Sequence, residues 1–371
     1  MFSKKIAFPT LFLFSILLML ACRKKNDPLP APLPKKLELS LSYSSSQLVP
    51  ESRISMSSAA DGDLFFTSGG EDLYSDNKKI DIYNGKTRQW SSVPLSIPRS
   101  KSVVAVLKGK VFVGGGEYNM ISRCRVDIYD MASGKSTFEL FGDFEYDHRS
   151  FVATVADRYV VFNDYRYFYV YDIQKSSWET IDIPITNRVV AQDMVAVGSK
   201  LYMNDFHEAH VMKVYDLENR KWSRISTQED ISNIKMLALD DKLYFYGNVS
   251  GVVTKVIDVM DIKTGSFTKI LLPHEKSTYT MTAEPKSGSL VVSGGTYFGR
   301  DVNDMIWIRP SDDLLVYNLG KKTWASSKLR GLRLRHVAEF INGQFIVHGG
   351  QNEFQANLPT ELYNVALKAI N

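Results

Sequence analysis

The chain has 371 residues, of which 44% are hydrophobic and 23% charged; this is enough material for a sizeable core and excludes a disordered or fibrous protein. Its 45 basic and 41 acidic residues leave a formal charge of +4, a balance that gives no electrostatic reason to expect a nucleic-acid partner. Aromatic residues reach 12%, mostly Tyr and Phe, and flat side chains of this kind pack well on pleated surfaces, so the expected fold class is all-β.

The first elements lie outside that fold. Lys4 and Lys5 precede an apolar run from Ile6 to Leu20, and Ala21 offers a small residue before Cys22. A charged start, a short apolar stretch and a small residue before cysteine resemble the bacterial lipoprotein export signal. That resemblance implies cleavage of residues 1–21, lipidation of Cys22 and attachment to the outer membrane, on its periplasmic or outer face. An uncleaved anchor and plain secretion are the alternatives. Residues 22–36 then combine Arg23, Lys24, Lys25, four prolines and Lys35-Lys36, which reads as an extended, solvated tether. With Cys22 acylated, Cys124 is the one thiol left, so no intramolecular disulfide is expected. Cys124 reads as a small buried side chain, since no Cys-His spacing marks it as a nucleophile.

From residue 37 to 371 the chain is organised around a repeat. Val126-Asp127-Ile128-Tyr129-Asp130 has relatives at Tyr83-Asn84, Tyr171-Asp172, Tyr215-Asp216, Met260-Asp261, Tyr317-Asn318 and Tyr363-Asn364, at steps of 46, 42, 44, 45, 57 and 46 residues. A period in the forties built of strand-like segments indicates small sheets that stack on one another to bury their faces. Each unit holds four segments, named a to d in chain order. Segment b recurs seven times, from Leu64-Phe65-Phe66 and Val111-Phe112-Val113 to Phe345-Ile346-Val347. Four of the seven b segments run into Gly69-Gly70, Gly114-Gly115, Gly294-Gly295 or Gly349-Gly350; the others end in Asn163-Asp164, Asn204-Asp205 and Gly247-Asn248, residue types that tolerate the same left-handed backbone. The acceptor side chain after each Tyr or Met fits an Asx turn opening the c–d connection. Seven residues after that position stand Trp90, Trp178, Trp222, Phe267 and Trp324, with Phe138 nine after Tyr129.

An apolar run, a glycine pair, Tyr-Asp and a Trp in this order resemble the kelch repeat over residues 50–367. The resemblance implies a seven-bladed β-propeller; six blades, with one unit misread, is the alternative. The seventh unit stops soon after Tyr363-Asn364, while Leu37-Glu38-Leu39-Ser40-Leu41-Ser42 alternates apolar and polar residues with no partner of its own. Placing that segment as the outer strand of blade 7 closes the ring and leaves few open edges.

Strands that alternate direction put the b–c and d–a loops on one face, and the added length is on the b–c side. The longest insertion, 294–313, carries Trp307, the one tryptophan the repeat does not explain, with Tyr297, Phe298 and Arg300. Tyr118 and Phe354 belong to other b–c loops, as do Tyr74, Tyr165 and Phe206. Aromatic faces among amides, carboxylates and guanidiniums suit sugar recognition, because C–H faces stack on rings while hydroxyls need fixed hydrogen-bond partners. The alternative is that these aromatics cap the blade ends. Arg53, Arg99, Arg149, Arg188 and Arg333 each fall at a d–a junction, where they either receive an anionic group through bidentate bonds or tie blades together by bonding loop carbonyls.

Signals of catalysis are thin. His207 and His210 form His-x-x-His without further ligands at a sensible spacing, so no metal and no cofactor is expected. Copper-radical sugar oxidases share the propeller but need a Tyr-His constellation, and no adjacent Tyr-His pair occurs here; the Ser-x-Asp-x-Gly-x-Thr-Trp boxes of sialidases are also missing. The expectation is a monomeric, extracytoplasmic binding module for a carbohydrate or an exported protein, in contact with membrane only through its lipid. A sugar-modifying enzyme of the epimerase, mutarotase or lyase kind is the alternative.

Overall fold

The structure, a computed structural model, describes residues 37–47, 53–71, 78–116, 125–141, 151–188, 191–205, 207–208, 210–227, 231–249, 252–253, 255–300, 306–352 and 358–369. They form seven small antiparallel sheets, each ordered a-b-c-d, in a seven-bladed β-propeller. Blade 1 comprises Ile54–Asp61, Leu64–Glu71, Lys79–Asn84 and Gln89–Pro94; blade 2 comprises Val103–Leu107, Lys110–Gly114, Arg125–Asp130 and Lys135–Leu140. Blade 3 uses Phe151–Val155, Tyr159–Asn163, Tyr167–Asp172 and Ser177–Asp182, and blade 4 uses Ala191–Val197, Lys200–Asp205, Val211–Asp216 and Lys221–Ser226. Blade 5 follows with Ile231–Leu239, Lys242–Val249, Val256–Asp261 and Phe267–Leu271, and blade 6 with Thr280–Glu284, Ser289–Ser293, Ile306–Asn318 and Thr323–Arg333. Blade 7 takes Val337–Ile341, Gln344–His348 and Thr360–Ala369, and its outer strand is Leu37–Gln47 from the other end of the chain.

The unbroken apolar character of strand b has a direct cause. Its successive side chains point to opposite faces, and both faces are covered by a neighbouring blade. Phe65 packs into a cluster with blade 7 and Phe66 into one with blade 2. Val111 and Phe112 divide likewise between blades 1 and 3, and Phe345 and Ile346 between blades 6 and 1. Seven apolar clusters result among the described residues, one at each blade interface, so the core is a ring of seams.

Strand d supplies the lid of each seam. Trp90, Trp178, Trp222, Phe267 and Trp324 stand directly opposite Tyr83, Tyr171, Tyr215, Met260 and Tyr317. Blade 2 departs from this: Ser136 faces Tyr129, while Phe138 faces Asp127, is 47% exposed and lies under the Arg125 guanidinium at 4.1 Å. In blade 7 the equivalent place is filled by Tyr43 of the closing strand, opposite Tyr363 with ring centroids 5.9 Å apart. The closing strand is longer than its alternating hydrophobicity indicates, running to Gln47 with a bulge between Tyr43 and Ser45. Gln47 Oε1 then accepts from Trp90 Nε1 of blade 1 at 3.2 Å.

The expected Asx turns form in six blades, with Asn84, Asp130, Asp172, Asp216, Asp261 and Asn318 each accepting from backbone N–H groups two or three residues on. The glycine pairs do adopt left-handed backbone, as at Gly349 (φ 67°) and Gly350 (φ 89°); in blade 2 the pair is Gly115-Gly116, one residue later than its sequence position indicates. Asn163, Asp164, Asn204 and Asp205 are a correction, because none has positive φ. They act through their side chains instead: Asp164 Oδ1 accepts from Arg166 N and Tyr167 N, and Asn204 Oδ1 accepts from Asp193 N.

Candidate functional site

The b–c and d–a face is underlain by a repeated ion pair. A basic side chain at the d–a junction reaches across its own blade to a carboxylate on strand c. Arg53 bonds Asp81 at 2.5 Å, Arg99 bonds Asp127, and Arg333 bonds Glu361 at 2.8 Å. All three carboxylates occupy one position, two residues before the Tyr of strand c, so they sit on the same side of each sheet. The sequence carries this signal in Asp81, Asp127 and Glu361, but the arginines alone do not reveal which partner takes them. Arg99 also gives Nη1 to the carbonyls of Val113, Gly115 and Arg125, and Arg333 gives its two Nη groups to Gly349 O and Pro359 O. Burial lowers the Arg99 guanidinium to about 10, with Asp127 opposing the shift. Arg99 and Arg333 are thus placed as ties within the blade, bonding loop carbonyls under the rim.

Blades 4 and 6 vary the pattern. In blade 4 the charge is reversed in place: Lys213 on strand c bonds Asp205 at 2.7 Å and the Arg188 carbonyl at 2.9 Å. Arg188 itself points elsewhere, donating from Nε to Ile183 O at 3.3 Å and lying 5.8 Å from the centroid of the Tyr165 ring. Two rim residues expected from the sequence therefore meet. In blade 6 the basic residue is Lys276, whose Nζ lies 2.6 Å from Ser311 Oγ, 2.8 Å from Asp313 Oδ2 and 4.4 Å from the centre of the Tyr297 ring. The Tyr297 hydroxyl donates to Asp313, and Lys328 Nζ sits 3.0 Å from the other Asp313 oxygen. Burial pushes Lys276 down; burial would raise Asp313, but bonds from Lys276 and Tyr297 outweigh it and hold the carboxyl well below its usual range. Tyr297 is raised by burial and by the Asp313 charge, so its hydroxyl keeps its proton and acts as a donor.

In the longest b–c insertion the described residues pair as two antiparallel strands. Thr296–Arg300 pairs with the first part of Ile306–Asn318, setting Tyr297 opposite Arg309, Phe298 opposite Ile308, Gly299 opposite Trp307 and Arg300 opposite Ile306. Its base is held on the d–a side by Lys276–Ser277, which pairs with Thr296 and Tyr297. Tyr297, Phe298, Arg300 and Trp307 therefore stand on one strand pair. Arg149, Tyr118 and Phe354, like Cys22, lie outside the described residues.

A residue the sequence reading did not single out lies on the inner wall. Glu339, on strand a of blade 7, accepts from Ser58 Oγ of blade 1 at 3.0 Å. Strand pairing puts Ala59, Ala105, Ala153, Val195, Leu237 and Thr282 at the same level in the other blades, so Glu339 is the one ionisable side chain of that ring. Burial pushes its carboxyl up to about 7, with the Ser58 bond opposing. Its signal in sequence is a single acid at a position that the other repeats fill with small or apolar residues.

With this geometry in place, comparisons with known proteins extend the fold and little more. No protein-family model and no curated protein sequence matches the chain. Among solved structures, that of YjhT matches with a TM-score of 0.53 at 14% identity, covering 86% of this chain and 99% of that one. At that identity the likeness establishes the propeller architecture.

Proposed function

We propose that this propeller is an extracytoplasmic binding module whose b–c and d–a face receives a carbohydrate or an exported protein partner. The observation that supports the reading is the blade 6 insertion, an added strand pair on the ring, with Tyr297, Phe298, Arg300 and Trp307 at adjoining register positions. Binding groups held on a rigid element keep their geometry without the entropy cost of ordering a loop. Arg188 beside Tyr165 adds a second cation and aromatic pair on the same face. The repeat pattern supports a kelch-type propeller, and the Cys22 signal supports a lipoprotein of the outer membrane held off the surface by residues 23–36. A second reading, a sugar-modifying enzyme, is favoured by one cluster alone: Tyr297, Asp313 and Lys276 place a neutral hydroxyl donor, a carboxylate and an amine within bonding distance.

A glycan array probed with the mature protein tests the first reading, and Trp307→Ala is expected to weaken the hits. NMR of each glycan hit, following anomeric and linkage signals with time, separates the two readings: unchanged sugar supports binding, turnover supports the enzyme. Absence of any glycan hit shifts the weight to a protein partner on the same face. Incorporation of labelled fatty acid in the native protein and its loss in Cys22→Ala tests the anchor.

A further inference from the structure

We propose that the top of the seam between blades 7 and 1 holds a site for a small monovalent anion of chloride size, built by Arg53, Thr67 and His348. Strand pairing sets Phe65 opposite Tyr83, Thr67 opposite Asp81 and Tyr83 opposite Trp90. These side chains therefore share one face of blade 1. Phe65 and Tyr83 belong to the apolar cluster shared with Val337, Ile341 and Ile346, so the face looks towards blade 7. Arg53 reaches it through its bond to Asp81 at 2.5 Å. From the other side His348 is seated on the same face, with its ring 5.8 Å from Phe65 and 5.0 Å from Trp90. The backbones are locked together just beside it. Gly350 N donates to Arg53 O at 2.8 Å, and a Cβ added at Gly349 would come within 2.5 Å of that oxygen.

The hydrogen-bond inventory of this corner is one-sided. Arg53 Nε and Nη1, Thr67 Oγ1 and His348 Nε2 are all buried without a partner. In the same place in blade 2, Arg99 spends its Nη1 on three carbonyls, and in blade 7 Arg333 Nη1 bonds Gly349 O. Guanidinium nitrogens only donate, so what Arg53 lacks is an acceptor. Thr67 supplies a further O–H. His348 Nδ1 lies 2.8 Å from Thr360 Oγ1; when Nδ1 accepts the threonine proton, the buried Nε2–H becomes a fourth donor. Burial and the nearby charges of Arg53 and Arg333 keep this imidazole neutral, down to about 3. Asp81, the carboxylate opposite Thr67, is engaged by Arg53 and lies 3.6 Å from Lys79. Arg53 is 2% exposed and Thr67 and His348 are 0% exposed, so the corner is closed to a ligand as large as a sugar. An anion there would pin the seam at which the two ends of the chain close the ring, a role independent of any ligand on the rim.

The direct test is anomalous diffraction at the bromine edge from crystals of the protein equilibrated in sodium bromide. A peak in contact with Arg53 Nη1, Thr67 Oγ1 and His348 Nε2 is the expected result. In solution, replacing gluconate by chloride at constant ionic strength should raise the wild-type Tm by about 2 °C in a saturable manner, as for any ligand that binds only the folded state. Thr67→Val, which keeps shape and loses the hydroxyl, should shift the midpoint of that saturation to higher chloride. Arg53→Lys, which keeps the charge opposite Asp81, should abolish the dependence if it folds. Bromide at surface sites only, a water refining at the seam without halide exchange, or the same saturation in wild type and Thr67→Val would each overturn the proposal.

Discussion

Replacing Glu339 by Gln tests whether the ring carries an unfavourable charge on its inner wall. Glu339 is half-buried, accepts one hydroxyl from Ser58, and shares its level with apolar or uncharged side chains only. Its carboxyl is raised from 4.5 to about 7 in the folded protein, so the folded state holds this proton more tightly than the unfolded chain. For a carboxyl shifted upward the linkage runs opposite to the usual acidic case. Its contribution is most favourable below pH 4.5, declines as pH rises through the interval up to about 7, and is constant above it. A shift of that size corresponds to about 3 kcal/mol at 1.36 kcal/mol per unit, and exposure on one side reduces the figure to about 1–2 kcal/mol. Glutamine keeps the shape and an oxygen for Ser58 while removing the ionisation. Urea unfolding from pH 5 to pH 8 should therefore find Glu339→Gln within a few tenths of a kcal/mol of wild type at the acid end and about 1–2 kcal/mol more stable at the alkaline end. Other titrating groups cancel in the difference. A variant less stable than wild type at pH 8, or a difference that does not change with pH, would refute the reasoning.

Arg99→Ala leaves Asp127 buried without its cation and should cost about 3–5 kcal/mol, read as a fall in the urea midpoint; an unchanged midpoint would free Arg99 for ligand binding after all. Phe112→Ala empties a seam between blades 2 and 3 and should cost about 3–5 kcal/mol, whereas Phe138→Ala, on the exposed outer strand, should stay within about 0.5 kcal/mol. Leu41→Pro breaks the strand that pairs with Thr360–Ala369 and leaves that edge open, so the main wild-type peak in size-exclusion chromatography should give way to aggregate. Trp307→Ala should weaken glycan binding by about tenfold or more, as for an aromatic anchor, with the Tm moved by less than about 2 °C.

The architecture was legible because a propeller makes the same demand seven times. Each blade must bury both faces of strand b, so Leu64-Phe65-Phe66 and its six relatives read as apolar runs whatever else drifts. Missing glycine pairs in blades 3 to 5 did not hide the fold, since Asp164 and Asn204 reach the same end through side-chain hydrogen bonds in place of left-handed backbone. The nine-residue spacing of Phe138 in blade 2 has a separate cause. An aromatic near the right spacing suggests a repeat, but register is fixed by the turn, and the turn sets Ser136 opposite Tyr129 while Phe138 falls one pleat further along.

Functional groups were harder to read for the reason that made the fold easy. A repeat advertises what every blade shares, and two of the shared arginines, Arg99 and Arg333, bond carbonyls and carboxylates of their own blade. What distinguishes one blade from another is a single departure at an equivalent position, and a departure carries no period. Glu339 stands where other blades have Ala, Val, Leu or Thr; Lys276 stands where three have Arg; His348 stands where blade 1 has Ser68 and blade 2 has Gly114. Each becomes visible only when the strands are paired and the repeats are superposed level by level. In a closed ring of near-identical units, chemistry is to be sought where one unit breaks the pattern that its neighbours keep, and in this protein the three breaks named above fall in blade 6 and in blade 7, the blade that the strand from residue 37 completes.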